Sequence, residues 1–238
     1  MPEPSDTKGP VWDGPTRWFH WINVVLVFVS VLSGLFFLWR ESFHVEGREA
    51  KMALKALHSW IGYVWLANLS WRAVWGFMGN SNARWRAVLP DREALRLIGP
   101  ELRALIERRP RQHRGRSPVS RLSATVMFAM MLILATTGVI RAGTDLYHLP
   151  LGPVVAAYVA GSGVDASLID WRTETELADP EKFRTVTGVK TVTGKTHEAL
   201  SYLLLAWLVL HIGGVTLSEV RQRSGLVSSM IHGGEEDS

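Results

Sequence analysis

The chain has 238 residues, of which 47% are hydrophobic, and its formal net charge is +4. This length suits a single domain, and the absence of cysteine excludes disulfides, thiolate-held iron–sulfur clusters and covalently attached c-type haem. The charged residues lie mostly between long apolar runs, and this uneven placement decides the class of protein.

Four long apolar runs predict four membrane-spanning helices, at about residues 17–39, 57–78, 121–141 and 196–218. Each run reaches roughly the 20 residues that cross the hydrocarbon layer of a bilayer. A soluble helical bundle is the alternative, but its helices keep a polar outer stripe, whereas these runs are apolar all round. We therefore predict an all-α fold, an integral membrane four-helix bundle.

Loop composition and tryptophan placement indicate how the helices cross the membrane. The connection over residues 79–120 and its flank up to Arg121 carry eleven arginines against four acidic residues. By the positive-inside rule this loop is cytoplasmic, and with four spans both termini are cytoplasmic too. The basic charge then reflects topology and contact with anionic lipid headgroups, and it indicates no nucleic-acid partner.

Tryptophans lie near the ends of the apolar runs, where an aromatic belt at the membrane–water interface is expected: Trp18, Trp21, Trp39, Trp60, Trp75 and Trp85.

The connection over residues 142–195 is long and is predicted to lie on the outer side of the membrane. Prolines and glycines interrupt its first half, so that only about eight residues, Pro153 to Ala160, can be helical without a break. We expect this half to cap the outer membrane face. The second half, Arg172 to Lys195, fits a disordered linker better.

Four of the eight histidines lie within the apolar runs or at their ends: His20, His58, His197 and His211. His20 opens the first run at the cytoplasmic face, whereas His58 and His197 open the second and fourth runs at the outer face. His211 follows His197 by fourteen residues, which is about 21 Å along a helix and nearly the same helix face. The spacing predicts an outer pair, His58 with His197, and an inner pair, His20 with His211.

A pair of facing imidazoles inside a helical bundle is what six-coordinate haem iron requires. Two such haems in the bundle core, one above the other, would make an electron path across the bilayer. Zinc fits poorly, because each depth offers two imidazoles and no nearby carboxylate or thiolate. The alternative from another class is a transporter or proton channel that uses the histidines as relays.

Arg72 is a further candidate cofactor-binding residue, fourteen residues after His58 and near the depth of the inner pair. An arginine inside a membrane span is a functional-site hypothesis, and this one could neutralise haem propionates or meet a quinone headgroup. Snorkelling to the cytoplasmic interface is the other interpretation.

Gly34, Gly62 and Gly138 would let a flat cofactor approach the backbone, although small residues also serve helix packing.

With these residues identified, the chain resembles the bacterial cytochrome b561 family, which includes the b-type cytochrome subunit of membrane-bound nickel–iron hydrogenases. Three motifs carry the resemblance over nearly the whole chain: "VWDGPTRWFHW" with His20, "LHSWIGYVWLANLSWRAVWGFMGNSNARW" with His58, and "HEALSYLLLAWLVLHIGGV" followed by "RSGLVSSMIHG". The resemblance implies a multi-pass protein of the bacterial inner membrane with two haem b groups, held at the positions of the four histidines. It also implies electron exchange between the quinone pool and a periplasmic redox partner.

The resemblance leaves the partner and the assembly open. The loop over residues 142–195 is longer than in the hydrogenase subunits, and in this the chain is more similar to members that accompany periplasmic c-type cytochromes. We expect either a c-type cytochrome or a hydrogenase-like partner. A stand-alone quinone-linked oxidoreductase, such as a superoxide oxidase, is a second reading within the family. The sequence is also compatible with a homodimer.

Overall fold

The computed structural model describes residues 12–107, 109 and 116–233, and over these ranges the chain forms helices and no strand. This confirms the all-α prediction. The helices are α1 (Gly14–Leu38), α2 (Arg48–Met78), α3 (Trp85–Val88), α4 (Arg92–Ile106), α5 (Pro118–Asp145), α6 (Gly152–Val159), α7 (Glu174–Leu177), α8 (Pro180–Gln222) and α9 (Leu226–His232).

Three helices of the described chain are long and apolar enough to cross a membrane, namely α1, α5 and α8. In the most apolar part of α1 and of α8 only 6% of the residues are buried inside the protein, so these helices present apolar side chains that lipid would cover. The second predicted span, residues 57–78, lies within α2, which is 31 residues long but is not among the three. Within the span itself His58, Asn68 and Arg72 lower its apolar character.

The helix boundaries follow recognisable local signals. Asp13 caps α1, because its Oδ1 accepts a hydrogen bond from the backbone N–H of Thr16 at 3.0 Å. Asp179 caps α8 in the same way, accepting from the N–H groups of Glu181 and Lys182, and Pro180 follows at the first helical position. Helices α1 and α8 therefore each begin at an aspartate N-cap.

The disordered linker expected over Arg172–Lys195 is wrong for most of its length. Residues 180–195 are the first turns of α8, a helix of 43 residues that continues through the fourth predicted span. Tertiary contacts hold these turns: Val186 packs in a small core with Ala156, Val159 and Ile169, and Lys190 forms an ion pair with the buried Glu174 at 3.1 Å. The interrupted first half contains α6, which is eight residues long, as the punctuation by proline and glycine predicted.

The chain divides into two compact units. Of the described residues, the first unit contains 12–22, 68–107, 109, 116–129 and 204–233, and the second contains 23–67 and 130–203. Because each of the four longest helices contributes a segment to both units, each unit has its own set of four helical segments. His20, Arg72 and His211 belong to the first unit, whereas His58 and His197 belong to the second.

Candidate haem-binding histidines

The structure brings His58 and His197 face to face within the second unit. The centroids of their imidazole rings are 6.2 Å apart, and the ring planes are nearly perpendicular, at 85°. With a metal–nitrogen bond of about 2 Å and a ring centroid about 1.2 Å beyond each nitrogen, two imidazoles on opposite sides of one metal have centroids about 6 to 6.5 Å apart. The separation therefore fits a single metal ion between the two rings.

A hydroxyl group fixes the orientation of each ring in this pair. Ser33 Oγ lies 2.8 Å from His58 Nδ1, and Thr137 Oγ1 lies 2.9 Å from His197 Nδ1. Both hydroxyls also donate to backbone carbonyls of their own helices, Ser33 to Ser30 and Thr137 to Ile133. When each hydroxyl donates to its backbone carbonyl, its oxygen accepts from the ring, and in that arrangement Nδ1 carries the proton and Nε2 keeps its lone pair. This is the tautomer that a metal ligand bound through Nε2 requires.

Glycine follows each of these hydroxyl residues and faces the same histidine. A Cβ atom added at Gly34 would lie 3.7 Å from His58 Cε1, and one added at Gly138 would lie 3.6 Å from His197 Cε1. Gly62, by contrast, has open space where its Cβ would be. The Ser33–Gly34 step of α1 and the Thr137–Gly138 step of α5 thus make equivalent contacts with the two rings.

Two cations near the His58–His197 pair share one carboxylate of the protein. Arg141 interacts electrostatically with His197, and its Nη2 lies 2.6 Å from Asp145 Oδ2. Lys55 Nζ contacts the same oxygen at 2.9 Å. One carboxylate therefore compensates part of the charge of two cations around this pair.

His20 and His211 lie in the first unit, close enough to interact electrostatically. The surroundings of His20 differ from those of His58 and His197, because its Nδ1 is buried and has no hydrogen-bond partner among the described residues. His20 also interacts with the nearby cation Arg116. The ring is thus near its predicted partner, and no protein group fixes its tautomer.

Arg72 lies buried in the first unit with only 3% of its surface exposed. Its Nη2 donates to the backbone carbonyl of Ala83 at 2.7 Å, and its guanidinium carbon lies 5.0 Å from the ring centroid of Trp85. The side chain therefore does not snorkel to water. Its Nη1 is buried and has no hydrogen-bond partner in the part of the chain that the structure describes, which leaves one donor for another group.

Asp13 is a residue of this region that the sequence reasoning missed. Its Oδ2 accepts from Trp75 Nε1 at 3.0 Å and from the backbone N–H of Asn80 at 3.2 Å, in addition to the cap at Thr16. Burial raises the pKa of this carboxyl group, but hydrogen bonds from Thr16, Asn80 and Trp75 outweigh burial and hold the pKa below its usual value. Asp13 therefore ties the start of α1 to the end of α2 as a carboxylate.

The donor set suits haem better than a metal ion held by protein alone. No group of three or more histidine, cysteine or acidic side chains able to hold a metal occurs in the part of the chain that the structure describes. Two imidazoles per site leave the remaining ligands to a macrocycle. The glycines beside the His58 and His197 rings, and the Arg72 donor that has no partner among the described residues, fit a large, anionic cofactor of this kind.

Comparison with known proteins agrees with this chemistry. The family model of the prokaryotic cytochrome b561 matches residues 11–233, so the chain belongs to that family. It is therefore a membrane electron-transfer cytochrome, and its family implies b-type haem.

A curated relative points in the same direction. The chain is 24% identical, over 94% of its length and 87% of the relative's, to a protein of Rhizobium leguminosarum bv. viciae described as a probable Ni/Fe-hydrogenase B-type cytochrome subunit. No solved structure matches the chain.

Proposed function

We propose that this protein is a di-haem cytochrome that transfers electrons across the bacterial inner membrane between the quinone pool and a periplasmic redox protein. His58 and His197 would hold the outer haem, and His20 and His211 the inner haem. The membrane would be crossed four times, with α2 as the additional span and both termini on the cytoplasmic side.

The observation that carries this proposal is the geometry of the His58–His197 pair. The rings are 6.2 Å apart and each Nδ1 lies beside a hydroxyl, which leaves Nε2 as the nitrogen through which each histidine would bind a metal. A proton relay needs neither this separation nor a hydroxyl beside each Nδ1. When bound, haem iron supplies one-electron exchange between ferric and ferrous states.

The protein's own residues would orient and insulate this chemistry. The hydroxyls of Ser33 and Thr137 set the ring planes, and Asp145 limits the positive charge that Arg141 and Lys55 bring to the outer site. The fourteen residues between His197 and His211 on α8 would place both haems along one helix.

The partner is proposed as a class. The relative from Rhizobium is described as a hydrogenase subunit, which supports a hydrogenase-like protein. The structured segment from Tyr147 to Val186 provides a surface outside the spans against which such a protein or a c-type cytochrome could dock.

Electron transfer across the membrane can be tested in proteoliposomes that contain trapped ferricyanide. An impermeant reductant added outside should reduce the trapped oxidant with the wild-type protein. His197→Ala and His211→Ala should each abolish this reaction, because each variant would lack one haem of the path. Equal rates in wild type and both variants would contradict the proposal.

A further inference from the structure

Two arginines of the first unit, the buried Arg72 and the half-buried Arg116, lie close enough to repel each other. Arg72 uses one amino group on the carbonyl of Ala83 and leaves Nη1 buried and unpartnered. Arg116, just before α5, has its guanidinium carbon 4.7 Å from the ring centroid of Trp12 and its Nε buried without a partner. Both side chains thus keep a buried donor that no acceptor of residues 12–107, 109 or 116–233 receives.

The protein groups around these arginines do not compensate their charge. Burial and, to a lesser extent, repulsion by Arg72 lower the pKa of Arg116 to about 10. Asp13 attracts Arg72, but both of its oxygens already accept hydrogen bonds from Thr16, Trp75 and Asn80. No carboxylate among the described residues counteracts this lowering of the Arg116 pKa. A buried cation without a partner is strongly unfavourable, so this arrangement calls for an anion.

The position of the two arginines identifies the anion. Arg116 interacts electrostatically with His20, which would be a ligand of the inner haem under the function proposed above. Haem b carries two propionate carboxylates, and guanidinium groups recognise carboxylates by paired, charge-assisted hydrogen bonds. A lipid headgroup is a poorer candidate, because Arg72 is only 3% exposed and a phosphate would have to leave the membrane surface to reach it.

We infer that Arg116, together with Arg72, binds the propionate carboxylates of the inner haem. This inference rests on the proposed function and adds Arg116 as a cofactor-binding residue. It also explains why the His20 side of the molecule keeps several buried donors open, since the cofactor itself would complete their hydrogen bonding.

The test is the rate at which the inner haem leaves the purified holoprotein for a haem-scavenging protein. Arg116→Met should accelerate this loss by about 10- to 100-fold, the range expected when a buried hydrogen bond to a charged group is removed. The outer haem should leave at the wild-type rate. Arg86→Gln, at an exposed arginine of the same loop, is the matched control and should change neither rate.

Haem dimethyl ester, in which both propionates are blocked, shows whether Arg116 acts through them. After reconstitution with the ester, wild type and Arg116→Met should lose the inner cofactor at the same rate, and wild type should lose the ester faster than haem. A persistent difference between the two proteins with the ester would overturn the inference. The wild-type comparison remains decisive if Arg116→Met does not fold, since equal loss of haem and ester would also overturn it.

Two further experiments test other anions as partners of Arg116, namely acidic residues of the chain and a phospholipid headgroup. Acidic residues outside the described ranges, Glu3, Asp6, Glu235, Glu236 and Asp237, are replaced together by amides, and this variant should keep the wild-type rate. If it loses the inner haem as fast as Arg116→Met, these acids are the partners of Arg116 and the inference is wrong. Co-purified phospholipid that disappears in Arg116→Met, with haem loss unchanged, would assign the arginines to a lipid headgroup.

The outcome also distinguishes this inference from the proposed function. A wild-type protein that binds no haem would end both. A protein that binds two haems and loses the inner one at the same rate with and without Arg116 would leave the function in place and remove the inference alone.

Discussion

The two histidine pairs lie in different surroundings, although the sequence treats them alike. Around His58 and His197 the protein supplies most of the site's contacts: hydroxyls hold both rings, glycines lie beside them, and Asp145 compensates part of the charge of the nearby cations. Around His20 the imidazole Nδ1, Arg72 Nη1 and Arg116 Nε are buried and have no hydrogen-bond partner among the described residues. The first site is organised before a cofactor binds, whereas the second would be completed by it.

This difference has a thermodynamic consequence. A preorganised site spends little free energy on ordering its ligands, so most of the intrinsic affinity remains available for binding. A site with unpartnered cations is destabilised when empty and gains the charge interaction on binding. We therefore expect the outer site to depend on neutral hydrogen bonds and the inner site to depend on electrostatics.

The largest effect that separates the sites is the loss of a whole haem. His197→Ala should remove the outer haem and leave the inner one, and His211→Ala should do the reverse. Ferric EPR can tell the two apart, because the perpendicular rings of His58 and His197 should give the outer haem a highly anisotropic low-spin signal. That signal should vanish in His197→Ala and persist in His211→Ala; its survival in both variants would show that another pair binds this haem.

The next effect concerns the hydroxyl that orients His197. Thr137→Val keeps the shape of the side chain but removes the acceptor for the ring N–H, so the affinity for the outer haem should fall by about 10- to 100-fold. Thr136→Val, at the exposed neighbour on the same helix, is the control and should have no effect. Haem titration of the apoprotein measures both. Equal affinities in the two variants would argue that Thr137 does not support the ligand.

A smaller effect tests the charge balance of the outer site. Asp145→Asn removes the carboxylate that contacts Arg141 and Lys55, and the uncompensated cations should stabilise the reduced outer haem. Its midpoint potential should rise by an amount on the order of tens of millivolts. The inner potential should stay constant in the same redox titration. A shift of the inner haem instead would reverse the assignment of sites.

The smallest effect concerns Asp13 beside the inner site. Since its folded-state pKa lies below the ordinary 3.8, its stabilisation is fully present above that value and is lost as the pH falls through the lower, folded-state pKa. Asp13→Ala should cost about 1 kcal/mol at neutral pH through loss of the helix cap. Asp13→Asn should retain the cap and show a weaker fall of the thermal midpoint on acidification. Identical acid profiles for wild type and Asp13→Asn would contradict this role.

The sequence predicted the all-α class from its long apolar runs and the family from three motifs. It was misleading at the start of α8. The residues from Thr185 to Lys195 are rich in β-branched side chains and include Gly188 and Gly194, all of which disfavour helix in isolation. Contacts distant in sequence, such as the Lys190–Glu174 ion pair, outweigh that preference. The Asp179–Pro180 step was the available signal for a helix start.

The supporting residues of the site were also beyond the sequence. Ser33–Gly34 and Thr137–Gly138 form a recurrent hydroxyl–glycine step, but the same step occurs at Thr187–Gly188 and Thr193–Gly194, where no ring is held. Arg116 is one of eleven arginines between Gly79 and Arg121. Only the tertiary structure distinguishes it, by placing its Nε out of reach of water beside Trp12.

Haem content of the purified protein tests the central claim most directly. A pyridine haemochromogen assay on protein produced with adequate haem supply, normalised to chain concentration, should give two b-type haems per chain. One haem per chain would contradict the account of two complete sites, and none would contradict the cytochrome function itself.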